Sequence, residues 1–286
     1  MDQFVIGGGR FKHLTQNQLN KLLDHAYALG INKIDTAPQY KSEKMIGNYL
    51  QLNPNFLIST KTEFTRNTLL PLEIIKNFKI SLENLRIHNI DCLFFHSTPP
   101  ALISKANLDE VDFLKSEKLI KKIGYSGGNF ELNDLLIKSQ LDCLMVTFNA
   151  LDISDQHLMQ QSKAEIYIKR PMANFVFKRD LINEIRSSIK NFLRVKNPID
   201  IQSYQFRFKK MQTKEKSFSK HLEFYTKFIT SFYPRANYVF GVSQTQHLDQ
   251  IMSTIRMLNS ELTEDLIIYY NRLQQLSHEF HWKSLP

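Results

Sequence analysis

Four side chains in the first hundred residues have types that together could perform acid–base chemistry. Asp35 and Tyr40 lie in IDTAPQYKSEKMIG (34–47), Lys61 ends FLISTK (56–61), and His96 ends DCLFFH (91–96). A phenol, with a pKa of about 10 in water, is a poor acid–base group near neutral pH. A neighbouring ammonium group stabilises the phenolate and lowers that pKa. The four residue types therefore predict an activated tyrosine, provided that the fold brings them together.

Each of the four also has an ordinary structural explanation. The aspartate could cap the turn that follows it, and the tyrosine could be a surface aromatic. The lysine could be solvated, and the histidine could be a hydrogen-bonded core residue. Their joint placement at the ends of apolar runs favours an active site over four unrelated roles.

Short apolar runs alternate with segments of helical periodicity along the chain. Between the first two runs, Thr15 and Gln18 predict a capping box, leucines repeat at helical spacing, and Gly30 predicts the end of the helix. The predicted strands are FVIGG (4–8), KID (33–35), FLISTK (56–61), DCLFFH (91–96), KIGYS (122–126), CLMVTF (143–148), EIYIKR (165–170) and YVFGVS (238–243).

Eight strand–helix units predict a (β/α)8 TIM barrel formed as a single domain over residues 1–286. Parallel neighbours need crossover helices, and strands buried on both faces read as continuous apolar runs. An open doubly wound sheet is the alternative, but GGGR (7–10) lacks the full G-x-G-x-x-G spacing. The interval from Arg170 to Tyr238 must hold an extra excursion as well as its helix. A C-terminal helix around LIIYYNRLQQL (266–276) is expected to pack outside the barrel.

The composition narrows the class of protein. Hydrophobic residues make up 42% of the 286 residues and charged residues 23%, which is typical of a globular protein. The net charge of +9 raises nucleic acid as a partner, but the basic stretch 207–227 has no nucleic-acid-binding motif and is interpreted as solvated. We expect no membrane segment and no metal site, since His278 and His281 lack a third ligand. Cys92 and Cys143 lie in apolar runs and predict buried thiols in a cytoplasmic protein.

The motifs, taken in order, resemble the aldo-keto reductase superfamily. IDTAPQYKSEKMIG resembles its Asp-Thr-Ala, Tyr, Ser-Glu, Gly motif, ISTK its lysine strand, and DCLFFH its strand from aspartate to histidine. Further similar segments are KIGYS, FNALD (148–152), KRPMA (169–173) and YVFGVSQTQHLDQI (238–251). They occur in the order of the family and are distributed over most of the chain.

The resemblance implies a reaction and a role for each residue. It implies hydride transfer from NADPH, with NADH as the alternative, to an aldehyde, ketone or sugar carbonyl. Tyr40 would protonate the oxygen, Lys61 would lower the pKa of the phenol, Asp35 would hold Lys61, and His96 would hydrogen-bond the carbonyl oxygen. The implied cofactor contacts are Ser126, Lys169, Arg170, Gly241 and Ser243.

The chain departs from the family pattern at the cofactor site. Gly127 follows the serine of the fifth strand where the family commonly has asparagine, and Met145 stands where the sixth strand usually has glutamine. A thioether cannot replace the two-way hydrogen bonding of an amide. The basic residue that often follows Gly241 is also missing. These changes keep a second hypothesis open: a catalytically weak barrel that acts as a binding or regulatory protein. The sequence indicates no oligomeric state.

Overall fold

The strands are short and apolar because both of their faces are covered in a closed ring. In this computed structural model, residues 3–62, 73–99, 102–127, 141–175, 199–211, 218–257, 261–280 and 282 are described. The eight strands pair in chain order and close into a barrel, with β1 parallel to both β2 and β8. They are β1 (Phe4–Gly7), β2 (Lys33–Asp35), β3 (Leu57–Lys61), β4 (Ile90–His96), β5 (Ile120–Ser126), β6 (Cys143–Thr147), β7 (Glu165–Lys169) and β8 (Asn237–Phe240). The predicted (β/α)8 barrel is confirmed.

Helices alternate with most of the strands along the chain. They are α1 (Gln16–Ala28), α2 (Glu43–Leu50), α3 (Ile74–Leu85), α4 (Lys105–Ser116), α5 (Gln156–Gln161), α6 (Ile199–Met211), α7 (Phe218–Phe232), α8 (Thr245–Met257) and α9 (Glu264–Glu279). Within the described part of the chain, no helix has the length and hydropathy needed to cross a bilayer.

Helix α1 begins and ends where the sequence predicts. The Thr15 hydroxyl accepts from the Gln18 amide at 3.3 Å, and the Gln18 side-chain oxygen accepts from the Thr15 amide at 2.8 Å, so the capping box is present. Gly30 has φ 83°, a left-handed conformation that costs glycine little. The predicted excursion between Arg170 and Tyr238 contains α6 and α7, and the rest of it (176–198 and 212–217) lies outside the described residues.

The chain divides into two compact units. The first comprises Met1–Val146, His157–Lys169 and Ala236–Asp249, and the second comprises Thr147–Gln156, Arg170–Arg235 and Gln250–Pro286. In the second unit, aromatic side chains of α7 pack on those of α9, with 4.7 Å between the ring centres of Phe224 and Tyr269 and the same distance between Phe232 and Tyr270. The expectation of one domain over residues 1–286 stays a prediction.

Side chains of alternating strand positions fill the barrel interior in the first unit. Phe94 meets Tyr167 edge to face at 5.4 Å between ring centres, and both thiols, Cys92 and Cys143, are buried in the same cluster as predicted. At the amino ends of the strands, Glu165 accepts hydrogen bonds from Lys122 and from Asn237, each at 2.7 Å. Lys33 donates to Asn237 at 2.9 Å. This polar network covers one end of the barrel, opposite the carboxyl ends.

Candidate active site

Five of the predicted site residues are the last residues of their strands. Asp35 ends β2, Lys61 ends β3, His96 ends β4, Ser126 ends β5 and Lys169 ends β7. Tyr40 lies in the short 3-10 turn Pro38–Tyr40 that follows β2. Because all strands run parallel, their carboxyl ends meet at one rim, which is where barrel enzymes place their chemistry.

Lys61 and Asp35 form a buried ion pair at this rim. The ammonium nitrogen lies 2.6 Å from both carboxylate oxygens of Asp35, and the two residues are 2% and 3% exposed. The backbone oxygen of Thr36 accepts the next hydrogen bond from Lys61 Nζ, at 2.8 Å. The Ser59 hydroxyl donates to Asp35 Oδ1 at 3.1 Å. The two charges are therefore both paired and hydrogen-bonded, as burial of an ion pair requires.

The ion pair keeps Lys61 protonated. Burial alone pushes the pKa of Lys61 down, but the charge of Asp35, the phenol of Tyr40 and the hydrogen bond to Asp35 outweigh burial and raise that pKa. Lys61 consequently carries a positive charge throughout the physiological pH range.

The Tyr40 ring lies next to this charge. Lys61 Nζ is 5.1 Å from the centre of the ring, and the ring meets His96 edge to face with 5.9 Å between centres and 87° between planes. Lys41, directly after the tyrosine, has φ 56° and turns the chain away from the rim into α2. The phenol, the ammonium and the imidazole are therefore neighbours, and the phenol is half-buried.

His96 is held by two hydrogen bonds. Its backbone amide donates to the Thr62 hydroxyl at 3.3 Å, and its ring nitrogen Nδ1 lies 2.7 Å from the side-chain oxygen of Gln39. Burial, followed by the positive charges of Lys61 and Lys169, lowers the pKa of His96 to about 3. The imidazole is therefore neutral near pH 7.

The residues predicted to contact a cofactor differ in their surroundings. The Ser126 hydroxyl donates to the thioether sulfur of Met145 at 3.3 Å, and both residues are buried. Gly241 is exposed, and among the described residues the heavy atom nearest to a Cβ built there is Arg10 Nε, at 3.9 Å. Apart from its chain neighbours, the described residues leave the space beside Gly241 open, and the positive charge of the Arg10 guanidinium there suits an anionic group.

A family model and this geometry point to the same class of protein. The model of the aldo/keto reductase family matches residues 3–267, nearly the whole chain. The chain belongs to this family. No curated protein matches it significantly.

Solved aldo-keto reductases share the fold. The holo form of aldo-keto reductase AKR11C1 from Bacillus halodurans is similar with a TM-score of 0.67 at 18% identity, over 96% of this chain and 91% of that chain. The apo form of the same protein gives a TM-score of 0.65 at 17% identity, over 94% and 89% of the two chains. At these identities the likeness establishes the barrel shared by the aldo-keto reductases.

The last two predicted cofactor contacts, Ser243 and Arg170, belong to different compact units. Ser243 follows β8 in the first unit and is half-buried. Arg170 belongs to the second unit, where its backbone oxygen accepts from the Asn149 side chain at 3.0 Å and its φ is 56°. Both stay predicted cofactor contacts of this aldo-keto reductase.

Sequence reasoning missed several neighbours of the predicted residues. Ser59 precedes Lys61 by two positions on β3, so the period of a strand places both on one face, and this signal could have found it. The Thr36 carbonyl, the Gln39 amide and the Arg10 guanidinium carry no such signal, because their contacts depend on loop conformation rather than on periodicity.

Proposed function

We propose that this aldo-keto reductase catalyses the NAD(P)H-dependent reduction of an aldehyde, ketone or sugar carbonyl, reversible in principle. The observation that carries the proposal is the buried Lys61–Asp35 pair next to the Tyr40 ring at the carboxyl rim of the barrel. An ammonium group held permanently charged beside a phenol is the arrangement that a tyrosine acid requires.

Tyr40 supplies the proton of the reaction. A reduced nicotinamide, held by the candidate cofactor contacts described below, would supply the hydride for the carbonyl carbon. The Tyr40 hydroxyl gives its proton to the carbonyl oxygen and becomes a phenolate as the alcohol forms. Lys61 stabilises the phenolate, and Asp35 holds Lys61 in place and balances its charge. In the oxidation direction the same phenolate takes the proton back.

His96 orients the carbonyl group. Its ring is neutral near pH 7 and lies edge to face against Tyr40. A neutral imidazole donates one hydrogen bond without placing a second full positive charge beside Lys61. It therefore orients the substrate oxygen and leaves the proton transfer to Tyr40.

The chain offers contacts for NADPH, with NADH as the alternative. The open space at Gly241 beside Arg10 supports binding of a phosphate group, and Ser243, Lys169 and Arg170 are further candidate contacts. Arg10 thus takes the place of the basic residue that is missing after Gly241. Ser126 remains a candidate contact, although its hydroxyl is bonded to Met145.

Titration of the protein with NADPH and NADH tests this proposal. We expect a change in nicotinamide fluorescence that saturates below millimolar concentration for at least one cofactor. A panel of aldehydes, ketones and sugar aldehydes should then consume the bound cofactor. Absence of binding for both cofactors up to millimolar concentration contradicts the proposal.

The bond between Ser126 and Met145 favours one alternative function. If this pair leaves the nicotinamide weakly held, the barrel acts as a binding or regulatory protein with poor turnover. Saturable binding of NADPH or of a carbonyl compound without cofactor consumption would support this alternative.

The proposed partners are small molecules, and the proposed compartment is the cytoplasm. The two buried free thiols, Cys92 and Cys143, support a reducing environment. We propose neither a nucleic-acid partner nor a membrane partner, because the basic stretch 207–227 carries no nucleic-acid-binding motif and no described helix could cross a bilayer.

A further inference from the structure

Gln39 lies beside the candidate catalytic residues, and the proposed reaction gives it no role. It sits in the turn Pro38–Tyr40, directly before the tyrosine. The turn is closed by hydrogen bonds from the Tyr40 amide to Ala37 O and from the Lys41 amide to Pro38 O, both at 3.0 Å. Proline fixes its own φ, which further restricts the turn. The phenol and the Gln39 amide are therefore carried by one short, well-defined segment.

The contact between Gln39 and His96 joins this turn to the end of β4. The side-chain oxygen of Gln39 lies 2.7 Å from His96 Nδ1, a short hydrogen bond for nitrogen and oxygen. The backbone amide of His96 is held separately by the Thr62 hydroxyl. Since the backbone is fixed by one bond and the ring by the other, rotation of the imidazole is restricted. Among the described residues, Nε2 is the ring nitrogen left for a substrate.

The groups around His96 keep its imidazole neutral, so the position of its single ring proton decides which nitrogen can donate a hydrogen bond. Lys61 of β3 and Lys169 of β7 act on the ring through their positive charges, and Tyr40 lies edge to face against it. Both charges and burial oppose a second proton on the ring. A neutral ring carries one proton, and the partner of Nδ1 determines whether that proton is on Nδ1 or on Nε2.

We propose that Gln39 is a positioning residue: its side-chain amide holds the His96 ring through Nδ1 and sets which ring nitrogen carries the proton. When the amide presents its oxygen, Nδ1 carries the proton and Nε2 accepts a hydrogen bond. When the amide turns over and presents its NH2 group, Nδ1 accepts, and Nε2 donates to a carbonyl oxygen. Gln39 thus controls whether His96 can donate to the substrate.

This inference rests on the proposed function, because donation to a substrate presupposes a bound carbonyl compound. Its structural part is nevertheless measurable in ligand-free protein. Nitrogen-15 NMR separates protonated from unprotonated ring nitrogens. The His96 signals among the nine histidines are assigned by their loss in His96→Gln.

Two variants of Gln39 and one matched control test the inference. In the ligand-free wild type we expect one tautomer of His96, with the proton on Nδ1, because the Gln39 side-chain oxygen lies 2.7 Å from that nitrogen. Gln39→Leu should give a mixture of both, and Gln39→Glu should move the pKa of His96 upward from about 3 by about 1 to 3 pH units, because a carboxylate then faces Nδ1. Gln51→Glu makes the same charge change at the exposed end of α2 and should leave the His96 signals unchanged.

Measurement of kcat and of its pH dependence in the same three variants provides a second test. Gln39→Leu should lower kcat on the order of tenfold, since a misoriented ring places the carbonyl poorly. In Gln39→Glu the pH dependence of kcat should gain an ionisation between about pH 4 and 6. Far-UV circular dichroism checks that each variant is folded.

Identical His96 tautomer ratios and pKa values in the wild type, Gln39→Leu and Gln39→Glu would overturn the inference. Failure of the proposed function looks different: the wild type would reduce no carbonyl compound, whereas the NMR signals of the free protein would still respond to Gln39. The two failures are therefore distinguishable.

Discussion

At the scale of single residues, the site depends on a charge that is buried but fully compensated. Removing an ammonium group from water costs several kcal/mol, which close pairing and extra hydrogen bonds must offset. Lys61 has both carboxylate oxygens of Asp35 and the Thr36 carbonyl as acceptors, and Asp35 has Ser59 as a further donor. The charge beside Tyr40 is therefore fixed in position before any ligand arrives.

Replacing Tyr40 by phenylalanine should stop reduction and spare cofactor binding. The substitution removes the proton donor and keeps the ring, so turnover should fall by roughly 10²- to 10⁴-fold while NADPH affinity changes less than about twofold. Steady-state rates and fluorescence titrations measure the two quantities. Tyr27→Phe, which removes a hydroxyl from an exposed ring packed on Phe56, is the matched control. Unchanged turnover in Tyr40→Phe would remove Tyr40 from the mechanism.

Breaking the ion pair from one side should cost more stability than removing both charges. Lys61→Met leaves the Asp35 carboxylate buried without its partner, and we expect the free energy of unfolding to fall by about 3 kcal/mol. The double variant Asp35→Asn/Lys61→Met should lose less, because no uncompensated charge remains. Urea denaturation measures both values. An equal or larger loss in the double variant would show that the pair is not compensated as described.

His96 should make stability fall on acidification. Its pKa is about 3 in the folded protein and about 6.5 in an unfolded chain, so between these pH values only the unfolded chain binds the proton. The contribution to the free energy of unfolding is therefore fully present above about pH 7, and it falls by no more than about 2 kcal/mol on going to pH 5. His96→Gln should lose correspondingly less between these pH values in urea denaturation. The same loss in both proteins would mean that His96 titrates normally.

Residue types alone predicted part of this site. Asp35, Lys61 and His96 could be placed because each ends an apolar run, and the ends of parallel strands must meet. Tyr40 follows from the short turn after β2. Gln39 and Arg10 could not be placed, since their contacts are set by the conformations of two loops that no periodicity describes.

At the scale of elements, the crossing of α2 and α3 fixes the segment that carries Tyr40. Gly47 lies in α2 at this crossing, and a Cβ there would overlap Asn84 O and lie 2.8 Å from the Leu85 carbonyl carbon of α3. Glu43, at the start of α2, accepts from the Thr60 hydroxyl of β3 at 2.8 Å. Helix α2, which follows the turn that carries Tyr40, therefore contacts both α3 and β3.

A methyl group at Gly47 should force these helices apart. Gly47→Ala is expected to lower the free energy of unfolding by about 1–3 kcal/mol, because the overlap is with backbone atoms that cannot rotate away. Urea denaturation measures the loss. Gly9→Ala is the control, since among the described residues the heavy atom nearest to its Cβ is 3.9 Å away, in the Tyr40 ring. A Gly47→Ala variant as stable as the wild type would contradict the close crossing.

The elements themselves were the most predictable part of the molecule. Each of the eight predicted apolar runs corresponds to one of the eight strands. The capping box at Thr15 and the glycine at position 30 mark the two ends of α1. The interval from Arg170 to Tyr238 was predicted to hold a helix and an extra excursion, but neither α6 nor α7 could be placed, because the aromatic and basic residues fit a substrate pocket as well as a helical packing surface.

At the scale of the whole molecule, the two ends of the barrel carry different sets of polar residues. At the amino ends of the strands, Lys33, Lys122, Glu165 and Asn237 form a network of bonded polar groups. At the carboxyl ends, Asp35, Lys61 and His96 surround Tyr40. The residues proposed for catalysis and the network at the amino ends thus lie at opposite ends of the strands, as is usual for this architecture.

Binding of NADPH should stabilise the folded protein through Arg10. At a concentration of 100 times its Kd, a ligand adds about 2.7 kcal/mol, which raises the midpoint of thermal unfolding. Arg10→Gln should weaken NADPH binding roughly tenfold and shrink that shift, because a charged hydrogen-bond donor is lost beside Gly241. Lys12→Gln, in the same exposed segment, is the control. Equal shifts in both variants would place the phosphates elsewhere.

Transfer of deuterium from NADPH, labelled on the C4 hydrogen that is transferred, directly tests whether this protein reduces a carbonyl group by hydride transfer with Tyr40 as the acid. The wild type is mixed with the labelled cofactor and an aldehyde or sugar carbonyl, and the product is analysed by mass spectrometry. We expect one deuterium on the carbinol carbon of the alcohol, and formation of this product that is roughly 10²- to 10⁴-fold slower in Tyr40→Phe. Alcohol without deuterium, or no alcohol with any carbonyl compound despite bound cofactor, would contradict this mechanism.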